Sequence, residues 1–360
     1  MVSFKLYMLS VMNDKRKTID GYVVGALLLA VSFIYLIILK CVYLLYGRNI
    51  LRPAEVPAKV ISVGNITLGG TGKTPFVIVL AEKARSMGRK VAVLTRGYGD
   101  DETHLLKARL CGIPVIAGAN RAASARRAIN ESGCDCIILD DGFQHHRLKR
   151  DLNIVLIDAT SPFGNMKIFP RGILREPLGR LKNADIVVFT KSDMGSSNRP
   201  AIYARLKDIK NDIKVSESFY EAADLKKVFK DAAAPLSYIK GKRVALLAGI
   251  ANPQYFEWMV KNLGADIAER FYYADHHLYN KKDVDEIAKK CGAAGLNIII
   301  TTEKDAMRSK SGDSDRLADL FGASFEAKQK KIELLTMSID FTISKNEEGI
   351  VAGLRSLFNR

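Results

Sequence analysis

Between Lys59 and Ser86 the chain reads KVISVGNITLGGTGKTPFVIVLAEKARS. An apolar run closes in Gly69, Gly70 and Gly72 around one lysine, and a helical pattern follows. That order predicts a strand, a tight loop and a helix, the unit from which parallel α/β sheets are built. The strict phosphate-loop pattern asks for glycine where Thr67 stands. Gly64, Gly69 and Gly70 still let backbone N–H groups close around phosphate oxygens. The expected nucleotide-binding residues are Gly69, Gly70, Thr71, Gly72, Lys73 and Thr74. Lys73 would reach the β- and γ-phosphates and Thr74 would ligate Mg²⁺, with the positive end of the following helix facing the anion.

The rest of the chain extends this pattern. Short apolar runs at 59–65, 90–95, 114–118, 136–142, 153–159 and 185–191 alternate with helical stretches at 74–87, 120–131 and 199–210. Continuous apolar strands separated by helices predict a mostly parallel sheet covered on both faces, of the P-loop NTPase-like α/β class. A second, smaller α/β domain is expected from Gly241, with a strand at 243–249, a helix opened by Pro253 and another buried strand at 297–305. The expected division is 1–50, 51–240 and 241–360.

Ahead of the core, Gly21 to Leu39 runs nineteen residues without a charge. A bilayer core needs about 20 apolar helical residues, so an N-terminal membrane helix is expected. Lys15, Arg16 and Lys17 flank it on one side and Lys40, Arg48 and Arg52 on the other, which gives no orientation by charge. Lysine and arginine outnumber the acids 55 to 39, a net charge of +16 that favours polyanions. The five cysteines have no metal-site spacing, and a reducing cytosolic setting is expected for the body of the chain.

Two other stretches end strands in chemistry. CIILDDG puts Asp140 and Asp141 at a strand's carboxyl end, where open α/β sheets bind ligands and where carboxylates beside a phosphate loop hold Mg²⁺. TKSD at 190–193 is similar to the guanine-reading motif of GTPases, and equally to an ordinary strand ending. Arg175 and Glu176 lie in a proline-punctuated loop, and His276 follows Asp275 in YYADHHLYN.

Taken in order, GNITLGGTGKTP, LTRGYG, DETHLL, LDDGFQH, RDL, PRGILREPLGRL, LAGIANPQYF and DHHLY resemble the tetraacyldisaccharide 4'-kinase family over essentially the whole chain. The resemblance implies ATP- and Mg²⁺-dependent phosphorylation of the 4'-hydroxyl of a tetraacylated glucosamine disaccharide 1-phosphate, a step of lipid A assembly. It implies Asp101 as base with His276 as its partner, Lys73 and Arg175 at the phosphates, and Thr74, Asp140, Asp141 and Glu176 around the metal. Matching D-E-x-x-L-L selects Asp101 over Asp100; most of the family's insert after R-G-Y is missing, and Thr103 stands where the family has proline. With His276 in the second domain and Asp101 in the first, closure of two lobes is expected to complete the pair. The implied setting is the cytoplasmic face of a bacterial inner membrane, among anionic lipids, as a monomer with no nucleic-acid partner. A membrane-tethered ATPase or GTPase switch of the partitioning type is the alternative.

Overall fold

A computed structural model describes residues 4–97, 100–229, 232–308, 317–326 and 332–359, apart from the side chains of Phe4–Leu6, Asp100, Asp101, Ala318 and 323–326. In chain order the principal elements are α1 (Phe4–Met12), α2 (Ile19–Gly47), β1 (Lys59–Asn65), α3 (Lys73–Ser86), β2 (Val91–Thr95), α4 (Asp100–Arg109), β3 (Val115–Ala117), α5 (Arg121–Ser132) and β4 (Cys136–Asp140). Then come β5 (Leu152–Asp158), β6 (Ile186–Thr190), α6 (Arg199–Ile209), β7 (Lys214–Lys227), β8 (Ala232–Ala234), β9 (Arg243–Ala248), α7 (Pro253–Asn262) and β10 (Asp266–Tyr272). The chain ends with α8 (Lys281–Ala293), β11 (Ile298–Thr302), α9 (Glu303–Ala306), α10 (Leu317–Glu326), β12 (Glu333–Lys345) and α11 (Glu347–Phe358).

The chain forms two compact units. One comprises Met1–Arg96, Gly112–Phe219 and Ile343–Arg360; the other comprises Gly97–Cys111 and Tyr220–Thr342. The division therefore falls inside β7 instead of near Gly241, and α4 and α11 each belong with the unit that their place in the chain would not suggest.

In the first unit the strands run β7–β6–β5–β1–β4–β2–β3, each neighbouring pair parallel. Their near-continuous apolar sequences follow from burial on both faces. Val60, Leu94, Ile137 and Leu139 pack with Ala125 and Ala128 of α5, whereas Val155, Ile157, Val187 and Phe189 pack with Ile202 and Leu206 of α6. Phe76, Val77, Leu80 and Ala81 of α3 are wholly buried, and α3 lies against β1, β2 and β4. Burying a side chain such as Phe76 contributes about 1.5–3 kcal/mol. β1 sits between β4 and β5, so strand order reverses there and opens a crevice beyond its carboxyl end.

α2 is the one helix among the described residues long and apolar enough to cross a membrane. Only 11% of its most apolar stretch is buried. Tyr22, Leu27, Phe33, Ile34 and Ile38 are exposed, while Gly21, Gly25 and Ser32 face the protein.

In the second unit β10, β9, β11 and β12 are successive parallel neighbours, and β8 joins the end of β7 antiparallel. Its core gathers Leu247, Phe271, Ile287, Ile299, Phe321 and Leu334. α8 opens with a reciprocal cap: Asn280 accepts from the Asp283 N–H, and Asp283 accepts from the Asn280 N–H.

Candidate active site

The loop from Ile66 to Gly72 leaves the carboxyl end of β1 and enters α3 at Lys73. Gly69 and Gly72 hold φ of 106° and 84°, a left-handed region that a side chain at either place would strain. The loop is tied down from below. The Leu68 N–H donates to Ile173 O (2.7 Å) and the Arg175 N–H donates to Ile66 O (2.7 Å). Thr190 Oγ1 donates to Thr71 O (3.0 Å), and Lys191 Nζ donates to Gly70 O (3.0 Å) while pairing with buried Asp158. A trans peptide points its carbonyl and the next N–H in opposite directions. Drawing Thr71 O toward Thr190 therefore turns the Gly72 N–H away from it.

The charges above the loop converge on one carboxylate. Asp141 Oδ1 lies 2.7 Å from Arg175 Nη1 and 3.7 Å from Lys73 Nζ, and Arg175 Nη1 also donates to Asn65 Oδ1 (3.1 Å). Burial pushes the Asp141 carboxyl up, but Lys73, Arg175 and Arg121 together outweigh it and hold it at about 2. Asp141 keeps this position with φ of 57°, an uncommon conformation for a residue with a side chain. Lys73, Asp141 and Arg175 are thus brought together by the structure. Two cations that hold one carboxylate offer the same charge to a polyphosphate.

Polar groups beneath them are left with bonding capacity. Thr71 Oγ1, Asn65 Nδ2 and Gln144 Oε1 are buried without a hydrogen-bond partner. Buried polar atoms in native proteins are nearly always satisfied, so such atoms beside a loop of this kind fit a polar ligand. Thr74, in the first turn of α3, and Asp140, opposite Val63 at the end of β4, are both buried. No cluster of three or more His, Cys, Asp or Glu side chains suited to a metal occurs among the described residues. Mg²⁺ in a phosphate loop needs only a hydroxyl and a carboxylate beside phosphate and water oxygens, and Thr74 with Asp140 and Asp141 fits that donor set.

Glu176 is placed differently. It is 1% exposed and accepts from Arg180 Nε (3.4 Å) at Oε2, while its Oε1 is buried without a hydrogen-bond partner. Burial raises its pKa against the pull of Arg180.

Sequence patterns missed Arg121. It is 3% exposed, donates to Gly118 O (2.8 Å) and Asp140 O (3.0 Å), and is held by burial at about 10. Its place as first residue of a helix entered from a strand end was the available signal. Lys191, read only as part of TKSD, is the brace of the loop.

The neighbouring His145 and His146 supply a pH prediction. Burial, reinforced by Arg121, Arg150 and Arg147, lowers His145 to about 4; burial, Arg150 and Arg180 lower His146 to about 4. The unfolded chain takes up these protons near pH 6.5, the folded one only near 4. Their contribution to stability is therefore intact above pH about 6.5 and declines as pH falls to about 4. A His145→Gln, His146→Gln protein should show a flatter loss of urea midpoint between pH 7.5 and 4.5 than the parent. Equal slopes would refute the assignment.

In the second unit His276 has φ of 60°; its N–H donates to Gly249 O (3.2 Å) and Asp275 Oδ1 (3.1 Å). Asp305, wholly buried, holds this loop: it accepts from the Gly249 N–H, the Tyr279 hydroxyl, the Thr302 hydroxyl and Arg308. Arg308 in turn donates to Gly249 O and His277 O. Asp101 lies in the first turn of α4 and its side chain is outside the described residues. Its neighbour Glu102 pairs with Lys304, which also approaches Asp275 (3.0 and 3.8 Å). α4 and the His276 loop belong to the same unit, so the expectation that Asp101 and His276 come from different lobes is corrected.

Comparison with known proteins follows the same outline. Over 93% of this chain and 99% of the other, the fold matches the structure of LpxK from Aquifex aeolicus in complex with ATP, at a TM-score of 0.64 and 24% identity. The tetraacyldisaccharide 4'-kinase of Halothermothrix orenii is 35% identical over 350 residues, covering 87% of this chain and 90% of the relative. That of Anaeromyxobacter dehalogenans is 37% identical over 287 residues, covering 73% of this chain and 76% of the relative. Residues 24–342, which hold both units' loops and all but the start of α2, match the model of the tetraacyldisaccharide-1-P 4'-kinase family, and the chain belongs to that family.

Proposed function

We propose that this protein transfers the γ-phosphoryl group of ATP, with Mg²⁺, to the 4'-hydroxyl of a tetraacylated disaccharide 1-phosphate in lipid A biosynthesis. The observation that carries the reading is the pairing of Lys73 and Arg175 around one acidic position above a glycine loop, in a chain of this family. Phosphoryl transfer asks a protein chiefly for positioning and charge neutralisation. Lys73 and Arg175 neutralise the γ-phosphoryl oxygens, and the Gly72 N–H adds a dipole. Bound Mg²⁺ would supply further charge neutralisation, held by Thr74 with Asp140 and Asp141. Glu176, buried beside Arg180 and next in the chain to Arg175, would be the metal-associated glutamate that the family likeness implies.

The sugar hydroxyl is a weak nucleophile, so a carboxylate within hydrogen-bond reach must take its proton. Asp101 is the proposed base, and His276 orients it or passes the proton on. The acceptor's four acyl chains keep it in the bilayer, at about 0.8 kcal/mol per buried CH₂. The exposed apolar face of α2 and the chain's charge of +16 suit the cytoplasmic face of an inner membrane rich in anionic lipid. The protein would work there as a monomer and without nucleic acid.

Incubation with γ-labelled ATP, Mg²⁺ and the disaccharide lipid should move label to the lipid. Hydrolysis at the same rate without acceptor would instead identify a nucleotide switch.

A further inference from the structure

The apolar helix is bonded to the same segment that carries Arg175. Ser32 Oγ accepts from the Arg171 N–H (2.9 Å) and lies 2.8 Å from Ile168 O. The Tyr35 hydroxyl donates to the carbonyl of Arg175 itself (3.1 Å), and its ring meets Phe169 edge-on at 6.3 Å. Arg180 lies over the Tyr43 ring at 3.9 Å. On its other side the 166–176 segment is bonded to the phosphate loop. Leu174 bridges Thr67, the Leu68 N–H donates to Ile173 O, and the Arg175 N–H donates to Ile66 O. Arg175 is therefore fixed at three points: its N–H on the loop, its carbonyl on the helix and its guanidinium on Asp141.

We propose that α2 is part of the phosphoryl-transfer machinery as well as a membrane element, with Ser32 and Tyr35 acting as positioning residues that set Arg175 against the phosphates. The inference rests on the reading of Arg175 given above. A helix that served only as a stem would need no polar seat on the active-site segment; an apolar face alone would hold it to lipid. Ser32 is 4% exposed in the middle of nineteen uncharged residues; besides Leu28 O one turn back in its own helix (2.9 Å), its partners are backbone groups of the segment that leads to Arg175. Leu28 O alone could satisfy the Ser32 hydroxyl within the helix, so the contact is marked from the other side: the Arg171 N–H and the Arg175 carbonyl find their side-chain partners in Ser32 and Tyr35. Because Arg175 acts through position, a shift well under the length of a bond at its carbonyl is felt at its guanidinium.

The test uses the full chain in vesicles of phosphatidylethanolamine and phosphatidylglycerol containing the acceptor. Ser32→Ala, Tyr35→Phe should lower kcat about tenfold while KM for ATP stays within about twofold and co-sedimentation with vesicles is unchanged. In an Arg175→Ala background the same pair of substitutions should have no further effect on kcat, because its route to the chemistry is gone. Parental kcat in the double variant, or an undiminished loss in the Arg175→Ala background, overturns the proposal. Parental kcat in Arg175→Ala alone would refute the reading of Arg175 instead, so the two failures are distinguishable.

Discussion

Lys73→Ala should lower kcat for lipid phosphorylation by about 10³-fold, a loss of about 4 kcal/mol in transition-state stabilisation. The fold should survive it. Lys73 Nζ stands 3.7 Å from Asp141, both side chains are partly exposed, and Arg175 keeps Asp141 paired at 2.7 Å. An ion pair of that kind contributes about 1 kcal/mol or less. The catalytic term outweighs the structural one, so circular dichroism and the thermal midpoint should change little while turnover nearly vanishes. Lys73→Arg should not restore it: a planar fork cannot take the place of a compact ammonium entering from the first residue of α3. Measuring label transfer to the acceptor with folded Lys73→Ala protein checks this, and turnover near the parental value would remove the basis of the proposed mechanism.

What the sequence disclosed of this site follows from how local each feature is. The glycine loop and α3 come from contiguous residues, and a helix expected at 74–87 is found at Lys73–Ser86. The strands of the first unit were legible because burial on both faces makes each a continuous apolar run, as in Cys136–Asp140. Their order was not, since apolarity says a strand is buried without saying which neighbour buries it. The unit boundary was hidden for a related reason. β7 crosses it at Phe219 and Tyr220 without a proline or glycine, whereas Gly241, which looked like a boundary, is the left-handed turn before β9. Helix α4, DDETHLLKAR, has too weak an apolar stripe to declare its partner, yet it packs on α9 of the second unit. Arg121 and Asp158 act through bonds to Asp140 O and to Lys191, contacts across nineteen and thirty-three residues that no short motif encodes.

The largest structural effect is expected at Lys191. Its side chain and that of Asp158 are 5% and 11% exposed, and they pair beneath the phosphate loop. Lys191→Ala would leave the Asp158 carboxylate buried with, among the described residues, the Thr160 N–H and hydroxyl as its donors, at a cost of about 3–5 kcal/mol. In a chain of 360 residues that corresponds to a fall of about 4–7 °C in thermal midpoint. Replacing both partners by apolar residues of similar volume, Lys191→Met with Asp158→Leu, removes the stranded charge, and the midpoint should return to within about 1 °C of the parent. Activity should not return with it. Gly70 O loses the Lys191 ammonium in either protein, and of the two side chains that hold the loop at Gly70 and Thr71 just Thr190 is left. The double variant should therefore keep kcat/KM for ATP about tenfold below the parent while its stability recovers. Recovery of both quantities together would show that the buried pair serves the fold and that the loop holds its shape without it.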